Sequence, residues 1–118
     1  MTSRNILIVD DDPDILYTLG MVLRAEGYTV FTEDDVEKAK EIVLENGIQL
    51  VIIDYVLPDL LGDKFAGILK KLDERLQFIF LSGYSAVFEA VEKLKFSVRW
   101  VFMKPIDIET LLSAIKIT

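Results

Sequence analysis

The 118-residue chain contains no cysteine and no histidine. The first absence excludes disulfides, thiolate nucleophiles and cysteine-ligated zinc, and the second excludes imidazole bases, phosphohistidine and histidine-bound metals. Long apolar runs are missing as well. The runs at 6–9 and 50–53 are far shorter than the roughly 20 residues that cross a bilayer, and the N-terminus has neither the basic nor the apolar region of a signal peptide. A cytoplasmic protein that makes no use of a membrane is expected. Basic residues are in the minority, 13 against 20 acidic ones for a net charge of −7. That balance argues against direct nucleic-acid binding, which relies on clustered lysine and arginine to displace counterions. With three prolines, six glycines and no linker-like or repeated stretch, one domain spanning residues 1–118 is expected.

What is present is 52% hydrophobic and 28% charged, the balance of a globular domain. Carboxylates, hydroxyls and lysines remain for chemistry, groups that suit hard cations and phosphoryl transfer. Short apolar runs at 5–9, 29–31, 49–53, 77–81 and 98–102 alternate with amphipathic stretches at 13–26, 36–46, 61–72, 85–94 and 108–117. The period switches between strand-like and helix-like each time, which gives five βα units. Asp12 followed by Pro13 is a helix start, and Gly27 and Gly47 stand where helices should stop. The central strands read as continuous β-branched and apolar runs, as in a parallel sheet covered on both faces. The expected class is doubly wound α/β, a five-stranded parallel sheet in flavodoxin-like 2-1-3-4-5 order.

In such sheets ligands bind beyond the carboxyl ends of the strands, where strand order reverses. Asp10 and Asp11 end the first strand, Asp54 the third, Ser82 the fourth and Lys104, just before Pro105, the fifth. In the flavodoxin-like order the three aspartates converge, and their mutual repulsion calls for a divalent cation, most naturally Mg2+, which binds through one or two carboxylates plus a substrate phosphate. Lys104 and the Ser82 hydroxyl would then approach a transferring phosphoryl group. Without histidine or cysteine, the nucleophile for a covalent phosphoryl intermediate is a carboxylate, and Asp54 is the best placed. Asp12 and Asp14 read as helix-capping and dipole-favouring residues. Gly62 and Gly83 read as backbone requirements, since no glycine-rich phosphate loop is present.

These residues fall in segments that together resemble a receiver domain of response regulators in two-component signalling: ILIVDD at 6–11, IIDYVLPDLLG at 52–62, FLSGYS at 80–85 and MKP at 103–105. The resemblance implies that Asp10 and Asp11 bind Mg2+ together with Asp54 and the backbone carbonyl of Val56. It makes Asp54 the phosphoacceptor, Ser82 and Lys104 the readers of the phosphoryl group, and the Lys104–Pro105 bond cis. It also implies a sensor histidine kinase or phosphotransfer protein as donor, and a downstream protein target or an attached output domain as recipient of the signal. The chain departs from the family at Val101, where many members carry tyrosine or phenylalanine, and at Phe96 and Ser97, which replace the usual small residues after the fourth helix.

Two competing readings follow. One is a small Mg2+-dependent phosphatase of the haloacid dehalogenase type, but its acid/base carboxylate would stand at position 56, which is Val56. The other is a degenerate receiver that binds a partner without phosphorylation, suggested by Val101.

Overall fold

The computed structural model describes residues 4–118. Ten elements alternate along the chain: β1 (Asn5–Val9), α1 (Pro13–Ala25), β2 (Thr29–Glu33), α2 (Val36–Asn46), β3 (Leu50–Asp54), α3 (Gly62–Leu72), β4 (Gln77–Ser82), α4 (Ala86–Glu92), β5 (Trp100–Met103) and α5 (Ile108–Lys116). All strand pairs are parallel and the order is β2-β1-β3-β4-β5, as the periodicity and the flavodoxin-like reading anticipate.

Strand alternation divides the apolar residues between two cores. Leu7, Val9, Val51, Ile53, Phe78 and Phe80 face α2, α3 and α4, where Ala39, Val43, Phe65, Leu69 and Val87 meet them. Ile6, Ile8, Leu50, Ile52, Ile79 and Leu81 face α1 and α5, against Leu19, Leu23, Leu111 and Ile115. Every residue from Ile6 to Val9 and from Leu50 to Ile53 has no solvent exposure, so each of these side chains contributes about 1.5–3 kcal/mol of burial free energy. The two-sided burial explains why these strands show continuous apolar runs with no polar face.

Local chemistry fixes the helix ends. The Asp12 carboxylate accepts from the Asp14 N–H at 2.9 Å with Pro13 in the first turn, and Asp35 caps α2 by accepting from Glu37 and Lys38. Gly47 closes α2 in the left-handed region at φ 58°, and Gly27 follows α1 at φ 95°, conformations that glycine adopts without a Cβ clash.

Several features differ from the sequence reading, among them β2, which runs on to Glu33 and not 31 because Thr32 and Glu33 still pair with Ile8 and Val9. The fourth helix stops at Glu92, two residues early, because Lys93 and Leu94 turn tightly onto the carbonyls of Ala90 and Val91 while Leu94 and Phe96 pack toward the core. The fifth strand begins at Trp100 rather than 98, since Arg99 is the first residue there to donate to the Phe78 carbonyl of β4. Gly62 needs no positive φ; its requirement is space, because a Cβ there would lie 2.3 Å from the Asp54 carbonyl oxygen. Gly83 shows neither need.

Candidate functional site

Each chemical residue is delivered by the end of a strand. β1 and β3 pair Val9 with Ile53, so Asp10 and Asp54 leave adjacent strands side by side. β3 and β4 pair Asp54 with Leu81, which sets Ser82 one step beyond, and Ser82 in turn pairs with Met103, the residue before Lys104. The Lys104–Pro105 bond is cis.

One carboxylate oxygen from each of Asp10, Asp11 and Asp54 lies within 4.8 Å of the other two. Asp10 is fully buried and Asp54 nearly so, whereas Asp11 is exposed. The Lys104 ammonium bridges the buried pair, 3.0 Å from Asp10 Oδ2 and 3.4 Å from Asp54 Oδ2. Backbone donors complete the set: the Asp12 N–H donates to Asp10 Oδ1 at 2.9 Å and the Val56 N–H to Asp54 Oδ1 at 3.4 Å.

One ammonium does not balance this much negative charge. Burial first, then the adjacent Asp10 charge, push the Asp54 carboxyl up to about 6 in spite of Lys104. Burial likewise raises Asp10, against the opposing pull of the Asp12 N–H and Lys104. Burial alone would lower Lys104, yet its hydrogen bond to Asp10 and the charges of Asp10 and Asp54 outweigh it and hold the ammonium above its ordinary range. A buried carboxylate pair that retains protons above the usual carboxylate range is electrostatically short of positive charge. Oxygen-only donors around that deficit fit a hard divalent cation, and Mg2+ in particular.

The remaining predicted residues are nearby but differently engaged. Ser82 is buried, and its hydroxyl donates to the Tyr84 carbonyl while accepting from the Tyr84 N–H, both at 2.8 Å. In this conformation it serves the turn after β4. Val56 has an exposed side chain and forms an isolated bridge with Leu61, while the Gly62 N–H donates to the Tyr55 carbonyl at 2.6 Å. These contacts fold the β3–α3 loop back onto the end of β3.

Asp63, in the first turn of α3, was not singled out by the sequence reading. It is buried, and its Oδ1 has no hydrogen-bond partner. Its spacing of three from buried Ala66 was the available signal, since residues at i and i+3 share a helix face.

An open parallel sheet in this strand order, with an acidic cluster and a strand-end lysine at its switch point, is the architecture of the receiver class. Residues 6–116 match the family model of the response regulator receiver domain. The chain is 30% identical over 116 residues to sporulation initiation phosphotransferase F of Bacillus subtilis, covering 98% of this chain and 94% of that protein. It is 31% identical to the uncharacterized transcriptional regulatory protein YkoG of the same organism, again over 98% of this chain, but it spans only 51% of that relative's length. The crystal structure of a CheY-like response regulator receiver domain protein from Methanospirillum hungatei superposes with a TM-score of 0.89 at 30% identity, covering 98% of this chain and 92% of the other. The chain belongs to the response regulator receiver domain family. Members of that family are signalling switches of two-component systems; they bind Mg2+ at an acidic pocket and interact with histidine kinases or phosphotransfer proteins.

Proposed function

We propose that residues 1–118 form one receiver domain that accepts a phosphoryl group on Asp54 and thereby changes its binding to a partner. The observation that carries this reading is the convergence of Asp10, Asp11 and Asp54 around the Lys104 ammonium at one end of the sheet. The donor is a sensor histidine kinase or phosphotransfer protein, and the output is a downstream protein or an attached output domain. The domain works in the cytoplasm without turning over a separate substrate; among the described residues no helix is long and apolar enough to cross a membrane.

Asp10, Asp11, Asp54 and the Val56 backbone carbonyl would hold Mg2+, which supplies the positive charge that neutralises the carboxylates and the incoming phosphate. An ionised Asp54 oxygen attacks phosphorus as the bond from phosphorus to the donor's nitrogen or oxygen breaks. The donor leaves with that electron pair, and Asp54 becomes an acyl phosphate. Lys104, already within 3.4 Å of Asp54, pairs with the phosphoryl oxygens. Ser82 reads the same group once its hydroxyl leaves Tyr84, and that exchange links the chemistry to the turn after β4.

The test is the intact mass of the wild type and Asp54→Asn after incubation with acetyl phosphate, with Mg2+ and with a chelator. A gain of one phosphoryl group only in the wild type, and only with Mg2+, is expected. No gain under any condition would overturn the reading in favour of a phosphorylation-independent binding module. Steady hydrolysis of a phosphate ester would point instead to a phosphatase.

A further inference from the structure

The helices run antiparallel to the strands, so the C-terminal ends of α3 and α4 lie at the sheet edge opposite the acidic cluster. Between them opens a groove of about 580 Å3. Lys70, Lys71, Lys93 and Lys95 line it, with Glu74 the single acid, in a chain whose acidic residues outnumber its basic ones by 20 to 13. The charge balance of the chain is thus reversed locally at this groove.

The four lysines are not equivalent. Lys70 is fixed: its ammonium donates to the Leu76 carbonyl at 2.9 Å and lies 5.7 Å from the centre of the Phe96 ring. Lys71, Lys93 and Lys95 are exposed, and their ammonium groups make no hydrogen bond or ion pair among the described residues. The floor is apolar, formed by half-buried Leu94 and Phe96, and Phe96 is braced from below by Phe78 at 5.5 Å between ring centroids. A firm apolar floor inside a rim of unpaired cations has the anatomy of a protein interface, with a greasy centre and a polar margin. A small-molecule site would instead present a few fixed polar groups converging from the interior, and here the only immobilised donor is Lys70.

We propose that this groove docks an acidic segment of a partner protein, a stretch of glutamate and aspartate flanking one or two apolar side chains. The apolar side chains rest on Leu94 and Phe96 while the carboxylates pair with Lys71, Lys93 and Lys95. The three lysines also repel one another, and an acidic ligand relieves that repulsion as it binds. Their exposure makes the contact one of steering and charge matching, so it is sensitive to salt. The site is remote from Asp54 and does not depend on its phosphorylation.

The test is an amide chemical-shift titration of the isotope-labelled wild type with a short blocked peptide of glutamates around two central leucines, alongside its lysine counterpart and ATP. Saturable shifts centred on Gly67, Leu94 and Phe96 are expected with the acidic peptide alone, weakening as salt is raised from about 50 to about 500 mM. The K71E/K93E/K95E variant should bind at least about tenfold more weakly while keeping its melting temperature and its uptake of phosphate from acetyl phosphate. Absence of shifts, shifts elsewhere, equal binding of the lysine peptide, or undiminished binding by the triple variant would each overturn the proposal. Shifts with ATP but not with the peptide would overturn the assignment to a protein segment.

Discussion

β3 and β5 each deliver one of the charges that meet at the carboxyl edge, and they could hardly be built more differently. All five residues of β3 are buried, and the strand is paired on both sides. β5 lies at the sheet edge, paired only with β4; Trp100 and Met103 are exposed, and Val101 and Phe102 are only partly covered. The carboxylate thus comes from the least deformable part of the molecule and the ammonium from one of the most deformable. Local opening is easiest where burial is low and hydrogen bonds face solvent. The proposed signal therefore has its fixed reference at Asp54 and its compliant reporter along β5.

Stability measurements test that contrast most severely. Phe80→Ala on β4, next to β3, should cost about 3–5 kcal/mol in urea unfolding, because it empties a fully buried site beneath the helices that cover this face of the sheet. Val101→Ala on β5 should cost about 1 kcal/mol or less, since its side chain is only half covered. Equal losses would mean that the edge strand is as tightly held as the centre, and the contrast would fail.

Gly62→Ala sharpens the same point from the side of β3. The added carbon would meet the Asp54 carbonyl oxygen at 2.3 Å and the Tyr55 Cα at 2.9 Å, backbone atoms at the buried end of β3 and just beyond it. A loss of about 1–3 kcal/mol, with slower phosphate uptake from acetyl phosphate, is expected. Unchanged unfolding and uptake would show that the end of β3 gives way after all.

The electrostatic cost of the fixed carboxylate should be visible in pH dependence. Asp54 is raised from an ordinary 3.8 to about 6, chiefly by burial and then by Asp10. A carboxyl raised on folding binds its proton more tightly in the folded state, so its contribution is greatest below about 4, is lost as pH rises to about 6, and stays lost above. Without Mg2+, Asp54→Asn should be more stable than the wild type at pH 7 by on the order of 1–3 kcal/mol, and that advantage should shrink at pH 5. A variant no more stable than wild type at pH 7, in thermal melts with chelator, would contradict the charge deficit. The smallest effect concerns the exposed side chains of Val56 and Tyr84 beside the site. Replacing them with asparagine and glutamate, respectively, should shorten the lifetime of the phosphorylated protein several-fold, as water gains polar guidance. A lifetime unchanged or lengthened in a phosphate-release assay would remove these residues from any role in hydrolysis.

The strands nearest the chemistry were the most legible in the sequence. Continuous apolar runs bounded by Asp10, Asp54 and Ser82 mark β1, β3 and β4 to within a residue or so, because two-sided burial leaves no polar positions to blur the pattern. The edge was less legible: half-covered Val98 looks like strand sequence, yet pairing with β4 begins only at Trp100. The partners that side chains choose were less legible than the faces they occupy. The sequence places Ser82 at the site but cannot say that its hydroxyl is held by Tyr84, and it gives Gly62 a conformational reading when the need is steric. The burial of Asp63 was concealed by the charged residue beside it, Lys64, which belongs to the solvent side of the same helix.

The pairing register carries a further consequence. Because Val9 is matched to Ile53, and Asp54 to Leu81, the relative positions of Asp10, Asp54 and Ser82 are counted along the strands and not set by the loops between them. A residue gained within a strand would shift its terminal acid by about 3.3 Å and turn it to the other face. A residue gained in a connection at the opposite edge would leave the constellation untouched. The chemistry and the recognition surfaces are therefore inherited on separate terms: loop lengths and outer helix faces are free to diverge toward new partners while the strand ends preserve the spacing of the charges.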